Sequence, residues 1–295
     1  MSLRVLRLDK LRKPMPIFDQ LVLEEALFRA NCENWCILNR GCGARAARHG
    51  PESPTNSPTD SPTVVMGIGG KPAKLLDLDA VHRDGVGVVR RFTGGGTVVV
   101  DEGTLFATFI MNHDALQHRG LPDSKYPRPI MEWSGRFYAP VFDRLCAPSR
   151  RSFGLYENDY VLVPTAHDST GSGDGRACDA LKFGGNAQSI SRGRWVHHTS
   201  FLWDFTNRSM AYLQLPDKRP TYRDDRAHGD FLVRLSDAVG NMAQAGEDVL
   251  EQIAVELPLW FDEIVPAMLE DGAVSAALAS DHRRATRWVD VDEHM

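Results

Sequence analysis

The chain has 295 residues, 42% of them hydrophobic and 25% charged, with a formal net charge of −5 and a pI near 6.1. Such a composition supports one large core or two modest ones and excludes a fibrous or disordered chain, while the acidic balance leaves no basic footprint for nucleic acid or a membrane surface. No apolar run reaches the roughly 20 residues that cross a bilayer, and the N-terminus lacks a secretory apolar stretch, so the expected setting is the mitochondrial matrix or the cytoplasm.

Met1 to Met15 holds Arg4, Arg7, Lys10, Arg12 and Lys13 against one acid, which resembles a weak mitochondrial presequence. The alternation of Leu3, Val5, Leu6 and Leu8 suits a first strand as well, and the strand is the favoured reading. A helix capped by Asp19 follows, with Leu23, Ala26, Leu27 and Ala30 at i, i+3, i+4 and i+7 and with Glu24 and Glu25 placed near its positive end. Cys36 to Asn39 reads as a strand. Residues 41–62, rich in Gly, Ala, Ser and Pro, with SPT three times between 53 and 63, read as a disordered insertion that lengthens a loop. Thr63 to Gly67 resumes as a strand. The cysteines, at 32, 36, 42, 146 and 178, are odd in number and lack paired metal spacing, so they read as reduced thiols.

Val86 to Val89 and Thr97 to Val100 read as buried strands on either side of Arg90-Arg91-Phe92-Thr93-Gly94-Gly95-Gly96, and Leu105 to Ile110 as a further strand. Glycines permit positive φ and close backbone approach, and successive N–H groups in such a turn converge on an anion. Arg90 and Arg91 add fixed positive charge. A β-turn with a solvated charge pair is the competing reading. No helix opens after the glycines and no GKS or GKT follows, so this is neither a dinucleotide fingerprint nor a P-loop.

Pro129 to Leu145 has helical spacing, with a kink expected at Pro140. Asn158 to Val163 is a strand, residues 165–179 a second polar insertion, Ala180 to Ile190 and Arg194 to Trp203 two more strands. Helices are expected near Gly229 to Val239, Glu247 to Leu257 and Trp260 to Leu269, with 271–295 a loosely attached tail. The organisation expected is therefore a catalytic domain over 1–270, the tail, and no separate C-terminal accessory domain.

Lys182 stands just before Gly184-Gly185-Asn186 in a chain with only seven lysines, where a compact rotatable ammonium can reach a bound anion. A snorkelling edge-strand lysine is the alternative. His197 and His198, adjacent on a strand, face opposite ways, so at most one meets the site.

Three segments in order, RRFTGGGTVVVDEGTLFATFI at 90–110, ENDYVLV at 157–163 and LKFGGNAQSISRGRWVHHTSFLWDF at 181–205, resemble the lipoate-protein ligase and lipoyltransferase family. The resemblance covers about residues 3–235. It implies an α+β fold, a mixed β-sheet core flanked by helices, in the biotin/lipoate protein ligase catalytic-domain class that is similar to class II aminoacyl-tRNA synthetases. It implies a lipoyl and phosphate pocket lined by Arg90, Arg91, Thr93, Gly94, Gly95 and Gly96, with Thr93 keeping the hydroxyl of the family's serine. Asn158 and Asp159 fall on the family's pair near the nucleotide phosphates and magnesium, with Asp159 as a metal ligand. Lys182 falls on the catalytic lysine, with Gly185, Asn186 and Ala187 beside it and His198 at the pocket. ATP, Mg2+ and lipoic acid, joined through a lipoyl-AMP intermediate, follow from the same resemblance. So do apo lipoyl domains of 2-oxoacid dehydrogenase E2 or glycine cleavage H protein as acceptors.

The chain departs from the family's pattern in further places. Gly184 and Asn186 replace two serines beside the lysine, Gly103-Thr104 replaces the usual Gly-Asn, and no small domain that would close over the site is expected. The last leaves three routes open: an accessory chain, use of preformed lipoyl-adenylate, or movement of a lipoyl group between acceptors. Related octanoyltransferases use a cysteine nucleophile, for which Cys146 near Arg150 and Arg151 is the candidate. Biotin ligases share the fold, but their glycine loop interleaves arginines with glycines. A non-catalytic lipoyl-binding protein is the remaining alternative.

Overall fold

The computed structural model describes residues 1–41, 62–121, 124–165, 179–215, 220–239 and 246–294. The two expected insertions fall essentially outside these residues. The strands in chain order are β1 (Ser2–Arg7), β2 (Trp35–Arg40), β3 (Thr63–Met66), β4 (Gly87–Arg90), β5 (Gly94–Gly95), β6 (Val98–Val100), β7 (Thr104–Asn112), β8 (Arg151–Tyr156), β9 (Asp159–Pro164), β10 (Leu181–Ile190), β11 (Arg194–Leu202), β12 (Glu263–Ala267) and β13 (Arg287–Trp288). Among the described residues they form a mixed sheet ordered β12-β1-β2-β7-β11-β10-β9-β8, with β5 paired to β10, and a smaller sheet ordered β13-β4-β3-β6. β1 runs parallel to both its neighbours, and the rest of the large sheet is antiparallel. This is the α+β architecture expected.

β7 is buried along nearly its whole length because both faces are covered. Leu105, Ala107, Phe109 and Met111 join Trp133, Phe137 and Val141 of the helix Pro127–Cys146 and Leu250 and Ile253 of the helix Gly246–Glu256. On the opposite face Phe106 meets Ile17 and Leu21 of the helix Ile17–Ala30 and Val65, Val89 and Val100 of the small sheet. Period-two alternation thus sends one strand's side chains into two cores. The cavity described below lies on the second face, between the two sheets.

The first strand is present, and its cations are engaged: Arg4 with Glu33 and Asp271, Arg7 with Asp9 and Glu251. The long helix begins at Pro127, with proline at its first turn, and continues through Pro140 to Cys146.

Four expectations are corrected. The first helix starts at Ile17 after Pro16, so Asp19 lies in its first turn and makes no cap. Glu24 and Glu25 sit mid-helix and fully buried, not at a positive end. Trp260 to Leu269 is not a helix but contains β12, an edge strand beside β1 that accommodates Pro266, which a helix interior would not. The expected helix at 229–239 is two short pieces, His228–Phe231 and Leu235–Val239.

The segment after 270 is also firmly attached. Val274 and Ala277 of the helix Gly272–Ala279 are buried with Leu23, Ala26 and Leu27. The Glu25 carboxylate accepts from the backbone N–H groups of Ala285 and Thr286, both at 2.8 Å, and β13 pairs with β4. Charged Asp281 to Arg284 disguises this attachment in the sequence, because backbone groups and a buried carboxylate make it.

Candidate active site

A cavity of about 700 Å³ opens between the sheets, lined by the glycine loop, Asp159 at the start of β9, the β10 strand, His198 and residues within 210–214 and 220–232. That volume suits a small molecule. Its lining includes the apolar Val65, Val98, Val100 and Phe106, which pack in one cluster, and the polar Lys182, Asp159, Asn158 and Arg223.

The glycine loop is held from both sides. Gly94 and Gly95 pair with Gln188 and Ala187 of β10, and Gly95 takes φ +127, a conformation natural to glycine. A Cβ there would meet Arg91 Nη2 at 2.7 Å and the Asn186 carbonyl at 2.9 Å. Arg91 is nearly fully buried, and its guanidinium donates to Thr93 Oγ1 at 2.9 Å, the Gly96 carbonyl at 2.7 Å and the Val65 carbonyl at 3.3 Å. Burial pushes its pKa down to about 10, so it remains a cation at neutral pH. Arg90 donates to the carbonyls of Ile68 and Gly70.

Arg91 therefore shapes the loop through its Gly96 carbonyl, while Arg90 ties the loop to the neighbouring 68–70 turn. Arg91 and Gly94 to Gly96 line the cavity, whereas Arg90 and the buried Thr93 are not among its lining residues.

Lys182 Nζ lies 2.7 Å from Asp159 Oδ1, and Tyr222 donates to Asp159 Oδ2 at 3.0 Å. Asp159 is 6% exposed. Both of its oxygens already have donors, and among the described residues no three His, Cys, Asp or Glu side chains cluster as a metal site. These residues do not fit a protein-held magnesium ion. Asn186 Nδ2 donates to the Asn158 carbonyl at 2.6 Å, bracing the two strands, and Gly185 and Ala187 leave the floor between them bare. A Cβ on Gly185 would stand 3.3 Å from Lys182 Nζ.

The two histidines part as expected. His197 is buried on the far face between Tyr160 Oη at 2.8 Å and Gln188 Nε2 at 3.0 Å, and burial lowers its pKa to about 3. His198 lines the cavity, with Nδ1 2.9 Å from Glu24 Oε2 and 2.9 Å from Thr108 Oγ1.

Three contributors went unseen in the sequence. Glu24 showed itself only as a carboxylate in an otherwise apolar stretch, Leu21-Val22-Leu23-Glu24-Glu25-Ala26-Leu27. Tyr222 and Arg223 lie in a segment without periodicity. Thr221 N–H donates to Glu157 Oε1, Val233 N–H to the Lys182 carbonyl, and Arg226 to the Ala180 carbonyl, which straps that segment over the lysine.

The cysteine candidate fares differently. Cys146 is fully buried at the end of the long helix, its thiol pushed up to about 12 by that burial, so it offers no thiolate to the cavity. Among the described residues no cysteine lines the cavity.

Residues 56–252 match the lipoyl protein ligase A/B catalytic domain family. The chain belongs to this family. A Plasmodium falciparum (isolate 3D7) relative named inactive lipoate–protein ligase 2 is 29% identical over 242 residues, covering 73% of this chain and 60% of the relative, so the chain spans less than two thirds of that protein. Octanoyltransferase LipM of Kyrpidia tusciae is 27% identical over 233 residues, covering 74% and 77%. The bi-partite lipoate protein ligase of Thermoplasma acidophilum, whose structure was studied with its E2 lipoyl domain, superposes with a TM-score of 0.60 at 16% identity, covering 96% of this chain and 95% of that one. At that identity the likeness concerns the fold, which is the one expected from the sequence. Among the described residues no helix is long and apolar enough to cross a membrane.

Proposed function

We propose that this member of the lipoyl ligase family activates lipoate with ATP to lipoyl-adenylate and passes the acyl group to a lysine of an apo lipoyl domain. The acceptor is the E2 component of a 2-oxoacid dehydrogenase or the H protein of glycine cleavage. The observation that carries this reading is the make-up of the cavity: an apolar cluster of Val65, Val98, Val100 and Phe106 that suits an acyl chain, and Lys182 standing over a bare Gly185 and Ala187 floor.

Activation brings the lipoate carboxylate against the α-phosphate of ATP, two anions that repel each other unless positive charge lies between them. Lys182 supplies it with an ammonium that, among the described residues, has one carboxylate partner and so two N–H donors for ligand oxygens. Arg91 adds a fixed buried charge behind the loop. Asp159, held by Tyr222, keeps Lys182 aimed across the Gly185 floor. The adenylate is a mixed anhydride, and binding plus charge stabilisation suffices for aminolysis without a covalent enzyme intermediate. No step is assigned to magnesium, in keeping with the engaged oxygens of Asp159.

The similarity to an octanoyltransferase favours a second reading, in which a preformed acyl group moves between carriers without ATP. The buried Cys146 argues against the thiol form of that route. One experiment separates the readings. The protein is incubated with an apo lipoyl domain and either lipoate with ATP and magnesium, synthetic lipoyl-adenylate, or an octanoylated carrier, and the acceptor mass is followed. A lipoyl mass increment in the first mixture is the expected result. An increment with the adenylate alone assigns activation to a separate chain, as a bi-partite ligase would require. Transfer from the octanoylated carrier alone establishes the second reading. Lipoate binding with no increment in any mixture makes the chain a non-catalytic lipoyl-binding protein.

A further inference from the structure

His198 and Glu24 form a buried pair that the adenylate chemistry above does not use. Glu24 is fully buried and accepts from Gln20 Nε2 at 2.7 Å and from Thr108 Oγ1 at 2.8 Å. Because the Thr108 hydroxyl donates to Glu24, the proton directed at the carboxylate from the ring is on His198 Nδ1, 2.9 Å from Oε2 and 3.1 Å from Oε1. In the neutral ring this leaves the lone pair on Nε2. His198 is 6% exposed and lines the cavity, and among the described residues Nε2 has no hydrogen-bond partner.

Strand register places this ring relative to Lys182. Ala187 pairs with Gly95 on one side and His198 on the other, while Gly185 pairs with Asp159 and Ser200. Paired residues share a face, and Gly185 and Ala187 are two residues apart on one strand, about 7 Å. Lys182 and His198 therefore flank the same bare floor, one beside Gly185 and the other beside Ala187.

We infer that His198, oriented by Glu24, accepts the proton of the acceptor lysine as its nitrogen attacks the acyl carbonyl. The inference rests on the acyl-adenylate reading. An ammonium has no lone pair with which to attack, so the acceptor's R–NH3+ first yields a proton to His198 Nε2. The freed nitrogen pair then forms the C–N bond, the C–O bond of the anhydride breaks with its electrons leaving on AMP, and the nitrogen's extra proton departs to the released phosphate or solvent. Glu24 is a positioning residue that fixes the tautomer and stabilises the imidazolium, while Lys182 faces the leaving phosphate and carbonyl oxygen.

The test compares two nucleophiles in single turnovers with synthetic lipoyl-adenylate: the lysine of an apo lipoyl domain, and hydroxylamine, which is unprotonated at neutral pH. For His198→Gln the ratio of lysine transfer to hydroxylamine trapping is expected to fall about a hundredfold. Glu24→Gln, whose amide can donate to Nδ1 and so leave Nε2 protonated, lowers the same ratio by at least about tenfold. Thermal melts verify folding, and His198→Ala supplies the same comparison where the glutamine variant does not fold. Equal loss toward both nucleophiles overturns the proposal and makes His198 a residue that binds the acyl group; an unchanged ratio overturns it as well. A wild-type protein inert toward both nucleophiles defeats the adenylate reading itself, and this one with it.

Discussion

Lys182→Met removes the ammonium but keeps an apolar stem of similar length, and so isolates the charge. Its partner Asp159, 6% exposed, then has Tyr222 as the donor to one oxygen while Oδ1 is left without one. An uncompensated buried charge costs about 3–5 kcal/mol when fully sealed. Here the lysine side chain is 27% exposed, so water follows into the gap, and the expected loss is about 2 kcal/mol. Asp159→Asn alone weakens the same pair by a similar amount. The double variant recovers most of one of these losses, giving a coupling of about 1–2 kcal/mol in denaturant unfolding. Acyl transfer does not recover, because the double variant still lacks the cation, and it stays down by at least about a hundredfold. Strict additivity in stability would refute the ion pair as described, and near-normal transfer by Lys182→Met would remove the lysine from the chemistry.

Gly95→Ala places a methyl 2.7 Å from Arg91 Nη2 at φ +127, so about 2–3 kcal/mol of stability and most affinity for lipoate are lost; a calorimetric titration with wild-type affinity would contradict this. Cys146→Ser leaves octanoyl and lipoyl transfer rates unchanged, and loss of either would restore the thiol route. His197, with a folded pKa near 3 against 6.5 unfolded, binds fewer protons in the native state between those values, so stability is present above pH 6.5 and declines as pH falls. From pH 6.5 to 5 that amounts to about 2 kcal/mol, read from unfolding midpoints, and His197→Asn flattens this dependence.

Much of the fold was legible in the residues. Strand alternation located β1, β2, β7, β10 and β11, and the glycine loop was placed between two buried strands, as observed. The misreadings share a cause. The apolar spacing across Trp260 to Leu269 fits a helix until Pro266 is weighed, and only the free edge beside β1 resolves it as β12. Helix periodicity likewise treated Glu24 and Glu25 as partners of a dipole, since a carboxylate's role depends on what arrives from 84 to 261 residues away. In the site, the structure brings Lys182, Asp159, the glycine loop and His198 to one cavity, while the donors of the loop's arginines are taken by backbone carbonyls and Thr93.

The sequence by itself determined most of the central strands, the residue types around the loop and the lysine, and the family, because these follow from local periodicity and short motifs, while β8, β12 and β13 escaped it. Which cations face the cavity was decided by tertiary structure. Arg90 and Arg91 look equivalent beside the glycines, yet carbonyls of the surrounding chain capture both, one near the surface and one sealed inside. Lys182 owes its place to Asp159 and to Tyr222, which come from separate segments. A buried charge goes where its desolvation is compensated, and the compensating groups are assembled only when the two sheets close on each other.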